Sequence, residues 1–434
     1  MNVAKKLPKI AFDSFTLSNG LRTIVVPQPA LHRAHVGLYV RVGSRFETVA
    51  TNGLSHFLEH MLYRGTSRLR SAHEVNLAFE RLGGYLYAAT HSDFGIFSVT
   101  LPQESVEAAC RLFGEVLTDP GFFDIEMEKG IVCEEILEDL DDEGRQVDAD
   151  NLCRALLYPS HPLGFTITGD ADRVRSFDEE MLRTHHARHY NVANTVLAFS
   201  GNVTSESARR VAEAHFSTLP VGERVVAEPF VHTQKKPRIK LVENMSSQTE
   251  LRLSLRAYSE ASVHRPTTDM LMRVLDDGMS TRLYHRICDS QGLCYDVGAS
   301  FDGYEDDGVI DFAAGTLHSR TTQVAKEMLD LVRELAEHGP TDAELDKARK
   351  RNSWDVEAML DSPEDLGSFY AGGHLFERFE TVEERLAKNH AVTKEAIRDL
   401  VAELAKPERL NVLAVGILSG GEGKKLTELV KGYR

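Results

Sequence analysis

The sequence predicts an α+β fold of two homologous domains, each a mainly antiparallel sheet with helices packed on one face. Three observations lead there. Runs rich in β-branched residues alternate with runs of helical period. The same order of elements occurs twice along the chain. Between the two copies lies LPVGERVVAEPFVHTQKKP (219–237), with three prolines and no period, which reads as a linker. The expected division is 1–218 for the first domain, 219–237 for the linker and 238–434 for the second domain. A chain of 434 residues, 42% of them hydrophobic, can bury two such cores.

In the first copy, GLRTIVV and HVGLYVRV read as strands, followed by a helix over 51–64. SAHEVNLAFERLGG is a second helix, capped by Ser71 and stopped by Gly83 and Gly84. GYLYAATHSDFGIFSVTLP is hairpin-like, and helices fill 104–158. NTVLAFSGNV closes the copy as a strand, with the helix SESARRVAEAHFSTL after it. In the second copy, RIKLVE and TELRLSLRAY are strands and TTDMLMRVLDDG is a helix. YDVGASFDGYEDDGVIDFAAGTL is a strand pair with an acidic turn, and two helical stretches lead to the strand LNVLAVGIL. The order β-β-α…β-β-α-α-β-α thus appears in each half.

Net charge is −16, and no long Lys/Arg run offers a nucleic acid its counter-charge. No run approaches the length of a membrane span. The N-terminal MNVAKKLPKIAFDSF has basic residues but no apolar segment of the signal-peptide kind. Cys110, Cys133, Cys153, Cys288 and Cys294 are odd in number and contain no CxxC pair, which fits reduced thiols in a cytoplasmic protein.

GLSHFLEHMLYRGT, from Gly53, carries the chemistry. Thr51 or Asn52 is a candidate N-cap and Gly65 a natural stop. On a helix, His56 and His60 share a face and can converge on one ion. Glu59 lies three residues from His56 and reaches a water on that ion without being a ligand. Phe57, Leu58, Met61 and Leu62 make the helix apolar, so two imidazoles and a carboxylate there need partners. A metal supplies them; the alternative is an ordinary buried helix with two hydrogen-bonded histidines. Catalytic zinc takes three protein ligands, and EMEKGIVCEEILEDLDDE offers acidic candidates. Glu128 and Glu135 are seven apart and nearly eclipsed, flanked by Ile131, Val132 and Ile136, whereas Glu134 falls on the solvent side. Cys133 reads as core. The acidic run 138–143 reads as a solvated helix end, and His185, His186 and His189 are a second cluster of imidazoles that could suggest another metal site.

These segments match the H-x-x-E-H arrangement of inverzincins. With EKGIVCEEI, HHARHYNVANTVLAFSGNV and STRLYHRICDSQGLCYDV in the same order, the chain from about Phe15 onward resembles the pitrilysin-type metallopeptidases, family M16. It is most similar to the short two-domain members, such as bacterial M16B peptidases and mitochondrial processing peptidase subunits. The resemblance implies a zinc endopeptidase with His56, His60 and Glu135 as ligands of Zn2+ and Glu128 supporting the site from behind. It implies that the ion polarises the scissile carbonyl and brings the pKa of its water to about 7, with Glu59 as general base and then acid. Peptide substrates are expected to add as a strand to a sheet edge near Ala88–Phe97.

The chain departs from the family in three places. Aligning Gly65 with Gly278 puts Asp269, Met272 and Arg273 where His56, Glu59 and His60 stand, so the second copy has no metal set. The family's substrate-binding Arg and Tyr, seven residues apart, correspond to Cys288 and Tyr295, with Arg286 turned away. Tyr87 stands where the family often has Asn. The missing arginine implies a second M16-like subunit that supplies the Arg/Tyr pair, or else a homodimer using Tyr295 alone. The competing function is a non-catalytic structural or assembly subunit of the same fold, in which the zinc motif is normally degraded. A maturation protease for one dedicated peptide is a third reading.

Overall fold

The computed structural model describes residues 9–418 and 420–434, so most of the N-terminal segment read for a targeting signal lies outside the described residues. The chain forms two compact units, one comprising the residues up to Glu138, Phe165–Glu228 and Asp355–Glu383. The other comprises Asp139–Gly164, Pro229–Trp354 and Glu384–Arg434.

The first unit is built on six strands: β1 (Asp13–Thr16), β2 (Arg22–Pro27), β3 (Arg33–Val40), β4 (Tyr87–Thr90), β5 (Gly95–Pro102) and β6 (Thr195–Gly201). Their order is β1-β2-β6-β3-β5-β4. The second unit has β7 (Arg238–Val242), β8 (Thr249–Ala257), β9 (Cys294–Gly303), β10 (Gly308–Thr316) and β11 (Leu410–Val415), in the order β7-β11-β8-β10-β9. Apart from β1, which has no counterpart among the described residues and was not foreseen, the two orders are the same. In each sheet a single parallel pair, β2 with β6 and β7 with β11, sits among antiparallel neighbours. The duplicated pattern in the sequence is therefore a duplicated sheet topology.

Helices pack one face of each sheet as expected, and a further helix covers the other face. β6 and β11 are buried at every residue, and β3 at every residue after Arg33, so both sheet faces need cover. In the first unit the helix Pro363–Leu375 provides it. The hydroxyls of Tyr39 and Ser368 lie 2.8 Å apart, and a Cβ on Gly367 would stand 2.8 Å from Ser200 Oγ and 3.1 Å from His35 Cδ2. Only glycine allows that approach. In the second unit the helix Ala149–Leu157 does the same. Its Leu152, Cys153 and Leu157 pack with Val309, Leu413 and Val415, apart from the main core built on Leu251, Leu253, Phe312 and Val412. Each covering helix comes from the opposite half of the sequence. Division at a single linker thus keeps each sheet whole but misplaces 139–164 and 355–383.

The linker has no regular structure. Its early part is strapped to the first unit, where Asn194 donates to Glu223 O and accepts from Val225 N. Its later part is held by Gln234, which donates to Leu410 O. Between β10 and β11 there are five α-helices where two helical stretches were expected, because the polar turns at 339–341, 360–362 and 376–381 break the period. Among the described residues no helix is long and apolar enough to cross a membrane.

The first unit buries several histidines in neutral form. Burial pushes His35, His186 and His189 each down to about 4, and His185 further. As pH falls below the ordinary histidine value of about 6.5, the unfolded chain takes up protons that the folded unit refuses. The stability these groups leave intact above pH 6.5 is therefore lost progressively toward pH 4. The urea midpoint of the apoprotein, followed by hydrogen exchange on β3 and the helix Glu179–His189, is expected to fall across that window. His35→Gln is expected to reduce the slope.

Candidate metal centre

The helix Leu54–Leu62 begins at Gly53, whose φ of 96° is left-handed and whose added Cβ would meet Thr168 O at 2.6 Å. Neither Thr51 nor Asn52 caps it. The buried carboxylate of Glu47 does so instead, accepting from Gly53 N at 2.9 Å, Ser55 N at 2.7 Å and Asn52 Nδ2 at 3.1 Å. Burial raises the Glu47 pKa and these donors oppose the rise. The helix offers its first free N–H groups to this carboxylate, a favourable place for negative charge. Phe57, Leu58, Met61 and Leu62 have no measurable exposure, and Ser55 Oγ lies 3.0 Å from His185 Nε2. The backbone under His56 and His60 is thereby fixed from its start and from behind.

The two imidazoles lie together with ring centroids 4.6 Å apart. The second helix, Ile125–Leu137, brings Glu135 to both. His56 Nε2 is 3.5 Å from Glu135 Oε1, and His60 Nε2 is 3.7 Å from Glu135 Oε2. Two ligand atoms on one tetrahedral zinc, each about 2.0–2.2 Å from it, stand roughly 3.3–3.5 Å apart. Ligand atoms of His56, His60 and Glu135 all lie within 4.8 Å of one another, and the described residues hold one such group. The donor chemistry also fits, because burial, with His60 as the lesser cause, pushes His56 down to about 3. It is a neutral imidazole able to give a lone pair.

Glu128 stands directly behind. One oxygen accepts from His60 Nδ1 at 2.8 Å and the other is gripped by the Arg64 guanidinium. This fixes the His60 tautomer with Nε2 facing Glu135. His56 lacks such a support: its Nδ1 is buried with no hydrogen-bond partner among the described residues, so packing alone orients the ring. Glu59 points to the edge strand β4, where Thr90 Oγ1 donates to its Oε2 at 2.5 Å. Burial raises the Glu59 pKa, against the pull of the Thr90 hydroxyl and of His60.

His56, Glu59, His60, Glu128 and Glu135 are thus brought together as the sequence suggested, and Glu134 is exposed. Ala88 lies on β4 opposite Phe97, so the free edge is β4 itself and Phe97 is an interior partner on β5. Tyr295 is in the second unit, on β9, with 89% exposure. Three expectations change. Ile131 is exposed, because the buried line of its helix runs through Glu128, Val132 and Ile136. Cys133 is only half-buried, its thiol directed at Ala171 O. The run 138–143 is partly structural, since Asp139 holds Asn151 and Asp141 accepts from Arg145. His185 and His189 serve as hydrogen-bond partners of Ser55 and Arg41 O. Glu47, Thr90 and Arg64 were not foreseen. Only Arg64, four residues after His60 on the same helical line, carried a signal.

Glu128→Gln is expected to weaken divalent-metal affinity by about 10–100-fold, read by competition with a chromogenic chelator, with little loss of thermal stability. Glu47→Ala leaves the N–H groups of Gly53 and Ser55 without an acceptor, while the Asn52 amide keeps Thr166 O. It is expected to lower unfolding free energy by roughly 1–3 kcal/mol, measured by denaturant titration.

Known proteins resemble this chain over most of its length. A family profile described as Insulinase (Peptidase family M16) matches residues 22–170, and one described as Peptidase M16 inactive domain matches 176–352. An uncharacterized zinc protease of Mycobacterium tuberculosis is 32% identical over 77% of this chain and 77% of its own length. The uncharacterized zinc protease YmxG of Bacillus subtilis is 28% identical over 90% of this chain and 95% of its own. A protease from Helicobacter pylori has the same fold, with a TM-score of 0.88 at 21% identity over 94% of this chain and 99% of its own. A peptidase M16 inactive domain from Pseudomonas fluorescens gives a TM-score of 0.86 at 21% identity over 93% and 98%. With a duplicated sheet, matches to both halves of the family and relatives named as zinc proteases, this chain belongs to the M16 peptidase family.

Proposed function

We propose that the protein is a zinc-dependent endopeptidase acting on peptides or unfolded segments, with His56, His60 and Glu135 as the metal ligands. The observation that carries this reading is the meeting of two imidazole Nε2 atoms and one carboxylate, with Glu59 held beside them by an edge-strand hydroxyl. Zinc, when bound, supplies a Lewis acid for the scissile carbonyl and an activated water. The residues of the chain do the rest. Glu128, gripped by Arg64, holds the proton of His60 on Nδ1. Glu59 accepts the proton of the attacking water and gives it to the leaving amide nitrogen, and its burial favours the protonated form that this second step requires. β4 has one unpaired edge, and Thr90 ties that strand to Glu59. A peptide added at Ala88 would pair through its backbone with little demand on its side chains, and would run past Glu59. The zinc-protease names of the relatives support the cofactor.

A two-chain enzyme is the arrangement we favour. Cys288 occupies the arginine position, and Arg286 is committed to Glu327 at 2.6 Å and Glu334 at 2.9 Å. A second M16-like chain would supply the missing cation for the oxyanion. The alternative is a homodimer that relies on Tyr295.

Purified chain is expected to hold about one zinc by elemental analysis, and Glu135→Gln to lose it. Glu59→Gln is expected to keep the metal and lose about 10²–10⁴-fold in kcat on a quenched peptide. No zinc after metal-replete purification would return the protein to a structural role. Full activity of the chain alone would exclude the required partner.

A further inference from the structure

Outside the metal centre, two sulfurs stand together. Cys288 Sγ and Cys294 Sγ are 3.4 Å apart, both half-buried, while Cys110 and Cys153 are buried elsewhere. Cys288 lies in the π-helical turn His285–Asp289, and Cys294 is the first residue of β9, an edge strand of the second sheet. The turn between them is well fixed. Gly292 N donates to Cys288 O and Leu293 N to Ile287 O, at 2.9 and 3.0 Å. Arg320 reaches Gly292 O at 2.6 Å, and Thr316 reaches Leu293 O at 2.8 Å. The sulfurs are thus held near each other by the backbone. Moving them to the roughly 2.05 Å of a bond needs an approach of about 1.4 Å.

We propose that Cys288 and Cys294 are a modification site: a dithiol that low-molecular-weight disulfides oxidise to an intrachain disulfide. One cysteine thiolate attacks a sulfur of the reagent, forming a mixed disulfide and releasing one thiolate. The second cysteine attacks the protein-bound sulfur and releases the other. The protein loses two protons and two electrons, and the reagent leaves as two thiols. Burial raises both thiol pKa values, Cys294 to about 12, so little thiolate is present at neutral pH and the reaction is slow there. It accelerates as pH rises. The bond would tie the π-turn to the first residue of the edge strand, next to the exposed Tyr295. A consequence for catalysis rests on the peptidase reading above, in the homodimer that relies on Tyr295; the bond does not. Reversible disulfides of this kind are the sort that act in reducing compartments.

Trypsin would release Ile287–Arg320 as one peptide holding both cysteines and no other. The full chain is treated with oxidised glutathione at pH 8, alkylated with iodoacetamide and digested. The expected product is this peptide, two hydrogen masses lighter and carrying no alkyl group, restored by dithiothreitol. Cys288→Ser is expected to stop at a glutathione on Cys294. Two alkylated cysteines, or one glutathione on each, would overturn the proposal. In parallel, kcat/KM on a quenched peptide is expected to fall roughly five-fold on oxidation in the wild type and not in the double variant Cys288→Ser, Cys294→Ser. Equal rates in both states would overturn the influence on Tyr295. A chain inactive in both states, even with a second M16-like chain added, would count against the peptidase reading while leaving the disulfide intact.

Discussion

A strand buried on both faces needs a layer on each side, and this requirement shapes the whole chain. β3, β6 and β11 have almost no exposed residue, so neither sheet is stable with helices on one face alone. The second layer of each unit is a single helix taken from the distant half of the sequence. His35, Gly37 and Tyr39 face one such helix, and their neighbours in β3 face the core. The inserted helix approaches closely because Gly367 stands where any side chain would strike Ser200 and His35.

The candidate metal centre lies on the opposite logic, that of charge in an apolar setting. Its residues form a chain of support. Arg64 holds Glu128, Glu128 holds His60, and Glu135 meets both imidazoles. At the other end, Glu47 holds the start of the same helix through two backbone N–H groups. A buried carboxylate without donors is costly, and here each of the two fully enclosed ones has at least two partners. The less enclosed carboxylate is Glu135, whose side chain is 41% exposed to solvent.

The residues of the site that are set by helical period were legible in the sequence. His56 with His60, and Glu128 with Glu135, follow from spacings of four and seven on helices. Glu47 and Thr90 were not, because a loop and an edge strand bring them in through tertiary placement that no local period encodes. The sheets were legible through their β-branched runs and their repetition. The allegiance of the two covering helices was not: SPEDLGSFYAGGHL announces a helix through Ser362 and Pro363 but does not say which sheet it serves. Ile131 failed for a related reason. A helix that packs on one narrow line leaves apolar residues of the adjoining line in water.

The return of the helix Pro363–Leu375 to the first unit has a consequence for biosynthesis. All strands of the first sheet, and both helices of the metal centre, leave the ribosome well before this helix does. Until Glu383 has been made, the outer side of β3 and β6 has no cover, and the nascent first unit carries an open apolar surface. The first unit is therefore whole only once residues far beyond the linker have been made, and a gene cut at the linker would yield neither unit whole.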